Sequence, residues 1–591
     1  MKKIFDSKNW LNIFLVAGFL TALFCGIVGW YQYYAFEGKH ISFWTSLYLT
    51  LQLLNLGGYP AEVLRVPVLF NIARFLMPLV LAATILNVLV HFFTNKLDNF
   101  RIHRFRNHFI FCGFTDLTRQ LINDLDKANN GHWGKAQIVV IDENMEPEEL
   151  HNNKYSSTVR LLKGKINEEV TLEKANIYHA QHIVAMDSKD NVNLTIAKNV
   201  KSLLSVERST ADPVRVTIKL EDFYNLRMFK DFQIAEPTED KTSKREIDFH
   251  AFDPEQIVAA KIIDAHNPAK NTELLNENAP ASHILISGLG SLGQKILIEA
   301  AHMYHFPNLK KLKVTLVDYA IKEKVQTLKI KQPFLSEIIE MELIDMEELI
   351  QLKANFNVAD ILVCFVTAPG DSECMQRSLQ LRQFLFDRLK NQSTPEIVAI
   401  LTTESLQQDL LLAAKNKDFL QKINIRPKYI GIYLNKKTII EDKEEVDDNY
   451  AKKIYESWLD QTGKKKFNEN NGWERLTDSD KDSNRYHARH YKDIKRPYLE
   501  KNKCTTLFDS LKKPSSIGTI IGKMEHNRWN AEKLLTGFVK GDTEIANKGD
   551  TDIRNRLKYH YCICPWDSLN QDDQLKDIDP TQYLLKNSSH Q

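Results

Sequence analysis

His283-Ile284-Leu285-Ile286-Ser287 runs directly into Gly288-Leu289-Gly290-Ser291-Leu292-Gly293. An apolar strand pattern passes through G-x-G-x-x-G into helical periodicity at Ile296, Leu297, Ala300 and Ala301. In a βαβ unit that binds a dinucleotide, the first glycine makes the turn. The second lets backbone approach a pyrophosphate, and the third lets the helix pack closely on the strand. Leu312 to Val317 read as the next strand and end in Asp318, where an acid can hold a ribose hydroxyl. Asp318 comes somewhat later than the roughly twenty-residue spacing of that pattern, a difference a long helix would absorb. Further strands are predicted at Ile361–Val366 and Ile397–Leu401, and a weaker helical signal at Asp447–Tyr455 closes the repeat. Residues 280–460 are therefore predicted to form a doubly wound parallel sheet.

A first copy of the pattern precedes it, over residues 106–265. Strands are predicted at His108–Cys112, Gln137–Ile141, Val159–Leu162 and His182–Met186, with a helix after the first at Leu117, Leu121, Ile122 and Leu125. Gly113 ends the first strand and Asp142 the second. The fingerprint is degraded here, because Thr115 and Thr118 stand where the second and third glycines would be. Side chains at both positions obstruct a pyrophosphate. A charged stretch, Glu236 to Glu246, and a helical connection, Phe249 to Ala265, are predicted to join the copies.

The chain has 591 residues, with 78 Lys and Arg against 76 Asp and Glu, and a net charge of +2. That balance excludes bulk attraction to nucleic acid. A charged fraction of 26% and a mean hydropathy of −0.35 exclude a polytopic transporter. The seven cysteines form no C-x-x-C pair, so no metal site is predicted and a reducing compartment fits. No nucleophile elbow, zincin motif or Walker loop is present, so no catalytic residue is assigned.

Two apolar segments sit near the N-terminus, in a predicted transmembrane domain over residues 1–100. Residues 10–30 carry no charge and span about 31 Å as a helix, enough for the hydrocarbon core. Residues 74–94 form the second span, led by Arg74 and followed by Lys96, Arg101, Arg104 and Arg106. Lys2, Lys3 and Lys8 precede the first span, so both flanks are basic and both termini are predicted to be cytoplasmic, in the inner membrane. Between them, residues 42–60 read as a short re-entrant helix, Ser42 to Leu54, and a glycine loop, Asn55-Leu56-Gly57-Gly58-Tyr59-Pro60.

Span, short helix, Gly/Tyr loop and Arg-led span together resemble the two-helix pore of potassium channels. There, filter carbonyls replace the water around the ion. The resemblance implies a filter at Asn55, Leu56, Gly57, Gly58 and Tyr59. It departs from TVGYG at the missing threonine and at Pro60, which leaves potassium or another cation as the permeant ion. The strand ending in Gly113, the acid Asp142, Lys163-Gly164 and the run Asp187, Asp190, Asn191, Asn193, Leu194 resemble the RCK (Trk-type nucleotide-binding) domain. That resemblance implies a nucleotide ligand, whether NAD(H), ATP/ADP or a cyclic nucleotide messenger. Its candidate contacts are Gly288, Gly290, Gly293, Asp318, Gly113 and Asp142. It also implies a homotetramer with an eight-domain cytoplasmic ring.

Residues 464–515 are polar and are predicted to be part linker, with a helix from about Ser483. In residues 516–582, Met524 to Phe538 reads as a helix stopped by Gly537, followed by Lys558, His560, Pro565-Trp566 and Lys576-Asp577. The series resembles the ryanodine-receptor-type (RyR) repeat domain, with Tyr561 where that family more usually has proline. The resemblance implies a small, mostly helical module that recognises a nucleotide-like ligand through His526, Arg528, Trp529, Lys558, His560 and Trp566. The whole then reads as a ligand-gated ion channel in a lipid bilayer, serving bacterial stress or antiviral signalling. The alternatives are a non-conducting membrane sensor and a membrane-tethered NAD(P)-dependent oxidoreductase.

Overall fold

The computed structural model describes residues 7–57, 66–128, 137–145, 155, 158–206, 213–232, 247–270, 273–390, 394–404, 424–441, 445–461, 472–473, 476–510, 513–541 and 557–588. The chain divides into two compact units, Met1–Arg104 and Phe105–Gln591. Gly58, Tyr59, Pro60 and the charged stretch 236–246 lie outside the described residues.

The first unit contains helices α1 (Ser7–Phe36), α2 (Phe43–Gln52) and α3 (Val68–Ile102). Within them, Ile13–Phe36 and Val68–Leu89 are long and apolar enough to cross a membrane. The second apolar helix starts earlier than the sequence suggested, so Arg74 lies inside it, where its guanidinium donates to Asn71 at 3.3 Å. Large apolar side chains point away from the unit along both helices, with Phe14 71% and Phe75 70% exposed. Glycines on α1 permit close packing. A Cβ on Gly29 would stand 2.6 Å from the Phe70 amide nitrogen, and one on Gly26 would stand 2.2 Å from the Thr50 methyl. Trp30 meets Phe70 edge-on at 4.8 Å. Ser42 caps α2 through the Thr45 amide, and Ser46 on its buried face donates to the Ile27 carbonyl of α1 at 2.9 Å.

The end of α2 departs from the extended filter predicted for this segment. Leu53–Asn55 tightens into a 3-10 turn, and Leu56 is left-handed with φ 56°. The Leu56 and Gly57 amides close back onto the Leu53 and Gln52 carbonyls, both at 3.2 Å. Asn55 and Leu56 therefore finish a helix, because the orphan carbonyls of a helix end capture the next amides.

In the second unit, two six-stranded, all-parallel sheets follow each other. The first contains β1 (His108–Cys112), β2 (Ile138–Asp142), β3 (Val159–Lys163), β4 (Ala180–Ala185), β5 (Val214–Lys219) and β6 (Ile247–Phe252), in the order 3-2-1-4-5-6. The second repeats that order with β7 (His283–Ser287), β8 (Leu312–Asp318), β9 (Ile339–Asp345), β10 (Ile361–Val366), β11 (Glu396–Leu401) and β12 (Ile425–Tyr429). This is the doubly wound order, whose ligand crevice lies at the carboxyl ends of the first and fourth strands. The segment predicted as a helical connection from Phe249 is instead the end of β6 followed by a helix, Pro254–Ala265. Asp253 caps that helix through the Glu255 and Gln256 amides.

Four further helices matter below: α4 (Asp116–Ala128) after β1, α5 (Phe223–Phe232) after β5, α6 (Pro254–Ala265) after β6 and α7 (Ser291–Met303) after β7. Both α4 and α7 have 13 residues, so the late position of Asp318 comes from the loop after Met303, not from a longer helix.

Within the polar stretch predicted as part linker and part helix, residues 478–501 form a packed helix. It begins as α8 (Asp478–His490), with Thr477 as its cap, loosens into a π-helical turn at Tyr491–Lys495, and ends as α9 (Arg496–Lys501). Its charges point inward. Arg489 of α8 donates to Glu299 of α7 at 2.5 Å and to Asp264 of α6 at 2.6 Å, and Glu299 also accepts from the Tyr486 hydroxyl at 3.0 Å. Burial works to raise the Glu299 carboxyl, but the Arg489 charge outweighs it and holds the carboxyl at about 2 against an ordinary 4.5.

Removing Arg489 leaves two carboxylates in a dry interface. Arg489→Met is expected to cost about 3–5 kcal/mol in denaturant unfolding. Because Glu299 is depressed in the folded state, its contribution is complete above about pH 4.5 and is lost as pH falls towards 2. Unfolding midpoints measured from pH 6 downward should fall steeply in the native chain, and less steeply in the variant.

Candidate functional site

The crevice of each sheet is built from the turn after its first strand. Gly113 and Gly288 both adopt φ 100°, which only glycine adopts without strain. In both turns the next amide is held by the acid ending the second strand. Phe114 N–H donates to Asp142 at 3.0 Å, and Leu289 N–H donates to Asp318 at 2.7 Å.

From there the copies diverge. In the first, the Thr115 hydroxyl accepts from the Thr118 amide at 3.2 Å, and the Thr118 hydroxyl donates to the Gly113 carbonyl at 2.9 Å. The start of α4 is thereby closed by its own side chains. In the second, Thr367 at the end of β10 donates to the Gly288 carbonyl at 2.8 Å. Gly293 must be glycine, since a Cβ there would stand 1.9 Å from the Gly288 carbonyl oxygen. Gly290 is the N-cap of α7 and offers no side-chain cap, and a Cβ there would meet nothing within 4 Å. The N-cap of α7 thus borders open space at a helix N-terminus, a setting suited to a phosphate, with the Glu255 carboxylate bonded to the neighbouring Ser291 hydroxyl.

Asp318 is buried and heavily bonded. It accepts from the Leu289 and Tyr319 amides, from Lys324 at 2.6 Å and from Arg377 at 3.1 Å. Burial works to raise this carboxyl, and Lys324 and the amide bonds outweigh it, leaving it below the ordinary value. A carboxylate offers about four acceptor positions, so a ribose hydroxyl reaches Asp318 only if Lys324 or Arg377 releases it. Asp142 accepts from the Phe114, Asn144 and Met145 amides. Lys324 and Arg377 were not singled out from the sequence, because neither lies in the glycine motif.

Beyond the fourth strands the copies match again. Asp190 accepts from the Glu221 and Asp222 amides, as Asp371 does from the Thr402 and Thr403 amides. These acids tie the loop after the fourth strand to the loop after the fifth in each sheet.

The six C-terminal candidates fall into three places. Helix α10 (Ser516–Leu535) presents Glu525, Arg528 and Glu532 on one face and His526 and Trp529 on another, as the helical period requires. Arg528 is fully buried, held by Glu525 at 2.7 Å and Glu532 at 2.7 Å. Glu525 also accepts from Lys495 of the π-helical turn at 2.5 Å and contacts His487 Nδ1 at 3.1 Å. Lys495 donates to His487 Nε2, so that imidazole is neutral, in keeping with burial driving its pKa well below the ordinary value.

His526, Trp529, His560 and Trp566 come together. The His526 and Trp529 rings stack at 6.0 Å, Trp529 meets His560 edge-on at 4.8 Å, and His526 meets Trp566 edge-on at 5.9 Å. Lys558 stands apart, paired with Asp231 of α5 at 2.6 Å. Both nitrogens of His526 face oxygen atoms, Asp577 at 3.0 Å and the Cys564 carbonyl at 2.8 Å, a setting that favours the cationic ring, while burial raises the Asp577 carboxyl. Burial opposes that charge, and the Asp577 carboxylate more than restores it, raising the His526 pKa above 6.5.

Residues 109–232 match the model of the TrkA-N domain. Similar solved structures include GsuK bound to ADP, at 14% identity over 72% of this chain and 94% of that one, with a TM-score of 0.33. The GsuK channel bound to NAD shares 12% identity over 72% and 81%, with a TM-score of 0.31. The human SLO3 gating ring shares 10% identity over 55% and 81%, with a TM-score of 0.36. No curated protein matches the chain.

The raised His526 pKa makes its contribution complete below about pH 6.5 and lost as pH rises through the higher folded value. Stability measured between pH 6 and 9, followed by tryptophan fluorescence, should decline in this range. His526→Gln should flatten the decline and cost roughly 1.5–3 kcal/mol at pH 6.

Proposed function

We propose that the chain is a ligand-gated cation channel of the two-helix RCK type, with a nucleotide sensed at the glycine turn of the second sheet. What supports this is the combination found in one chain. A two-helix unit turns its large apolar side chains outward, and it is followed by two sheets of nucleotide-binding order, one with an open phosphate cradle. The TrkA-N match over residues 109–232 adds weight from the first sheet. In water the outward apolar surface would be costly, so a bilayer and neighbouring copies are its natural surroundings.

A homotetramer would bring four copies of α2 around one axis and eight α/β domains together on the cytoplasmic side. Regulation then requires only that the nucleotide bind one arrangement of those domains more tightly than another. No catalytic group is needed at the glycine turn, and none is assigned there. A second reading, a non-conducting membrane nucleotide sensor, is favoured by the helix end at Asn55 and Leu56, whose backbone is turned rather than extended.

Gly290 separates ligand binding from folding. Its φ of −73° suits any residue and its surroundings are open, so Gly290→Val should fold normally. The same change should weaken ADP or NAD binding at least about tenfold in calorimetry, by filling the space beside the α7 amides. Gly293→Ala should instead lower the melting temperature, because its methyl collides with the Gly288 carbonyl. In planar bilayers the purified chain should carry a cation current that changes with nucleotide. Tight nucleotide binding without current would favour the sensor.

A further inference from the structure

A cavity of about 380 Å³ lies inside the second unit, and neither glycine turn is among its lining residues. Its walls come from α5 after the first sheet, α6 and α7 beside the second, α8, and, near the C-terminus, residues 532–538 and Lys558. The size is within the range of small-molecule sites.

Two clusters line it. On one side the His302 ring of α7 lies 4.5 Å from the Tyr486 ring of α8. His302 is 6% exposed, and neither of its ring nitrogens has a hydrogen-bond partner. Glu299 Oε2 stands 4.0 Å from Nδ1, too far for a hydrogen bond. A buried imidazole on a cavity wall with no protein partner for either nitrogen offers both to an occupant, and a planar group with in-plane donors and acceptors would pair with it.

On the other side, Lys533 and Lys558 flank the Phe538 ring at 5.3 Å and 4.7 Å. Arg227 and Lys558 share one carboxylate, Asp231, at 3.6 Å and 2.6 Å. Glu532, the partner of Lys533 at 3.3 Å, is already engaged by the buried Arg528. At this corner three lining cations meet two carboxylates, Asp231 and Glu532, while Asp253, Glu299, Asp480 and Asp482 line the rest of the cavity with Lys230 and Lys295. Burial lowers the Lys558 pKa, Asp231 opposes it without overcoming it, and the like charges of Arg227 and Lys533 add to the lowering. An anionic group with several acceptor oxygens suits this corner.

We infer that this cavity is a second ligand site, which takes a nucleoside monophosphate with its base at His302 and Tyr486 and its phosphate at Arg227, Lys533 and Lys558. An occupant would touch both α/β layers and the C-terminal segment at once, so binding would favour the arrangement of the three that shapes the cavity. The inference rests on the reading of this unit as a nucleotide sensor, but it places a ligand where no glycine motif lies.

The test uses the full chain in detergent and four probes, AMP, CMP, adenosine and inorganic phosphate, followed by thermal shift and calorimetry. At least one monophosphate should raise the melting temperature, and adenosine and phosphate should each bind at least about tenfold more weakly than it. His302→Leu and Lys558→Met should each weaken that binding about tenfold or more. His302→Leu should not lower the unliganded melting temperature, because no protein group bonds its nitrogens. Gly290→Val should bind the monophosphate as the native chain does. If neither monophosphate binds, or if both cavity variants bind it normally, the inference is overturned. If Gly290→Val alone abolishes binding, the ligand sits on the glycine turn. The proposed function then stands, and the cavity site does not.

Discussion

Glu525 carries its charge where water does not reach, and the second unit is arranged to make that tolerable. Lys495, Arg528 and His487 converge on it from one π-helical turn, its own helix and the helix α8. A buried carboxylate is expensive until each acceptor position is met, and it becomes a strict geometric requirement once it is. The π-helical turn at Tyr491–Lys495 follows from the same requirement, since the wider turn changes the direction of Lys495 relative to a continuous α-helix. Along α8, Arg489 repeats the device with Glu299 and Asp264. These two ionic centres join the C-terminal segment to the second sheet's helices through a helix that is polar by composition and buried by position.

The ionic centres also explain the cavity. A hydrophobic interface between the same elements could close by sliding and repacking. An interface pinned by fixed charge pairs cannot, and the space between α5, α7, α8 and α10 stays open. Charge pairs around its rim, Lys230 with Asp482 at 2.7 Å and Lys558 with Asp231 at 2.6 Å, connect the first sheet's α5 to the helices beyond it. Few apolar contacts are needed for these layers to respond to one another, because each ion pair has a definite partner and direction.

The two glycine turns show how small a change separates a binding loop from a structural one. Both keep the left-handed glycine and the acid that holds the following amide. At the third position, Thr118 donates to the Gly113 carbonyl. In the other copy, Thr367 reaches across from β10 to make that bond, and Gly293 leaves the room for it. The same carbonyl is satisfied by a local side chain in one case and a distant one in the other. Only the distant solution keeps the helix N-terminus free.

Much of the architecture was legible from the residues. The eight strands foreseen were short and apolar, several of them closed by glycine or acid, and such runs are committed to a buried parallel sheet. The two N-terminal helices were legible for a related reason, since uninterrupted apolar length has few other uses. Strands such as β5, with Arg215 and Lys219, and β12, with Arg426, Pro427 and Lys428, were hidden because charge and proline mask the strand pattern. The glycine fingerprint was also local, so its geometry could be anticipated. What the tertiary structure alone decided was the role of each charge. Arg528 read as a ligand contact, and Glu525 and Lys495 drew no reading, until the fold joined Lys495 to Glu525 and Arg528 from a segment about thirty residues away. His302 carried no signal at all, because its meaning lies in the partners it lacks. Sequence determines backbone patterns through short-range sterics and hydropathy. Which side chains meet in a dry interior depends on long-range packing, and here that packing decided where a ligand could enter.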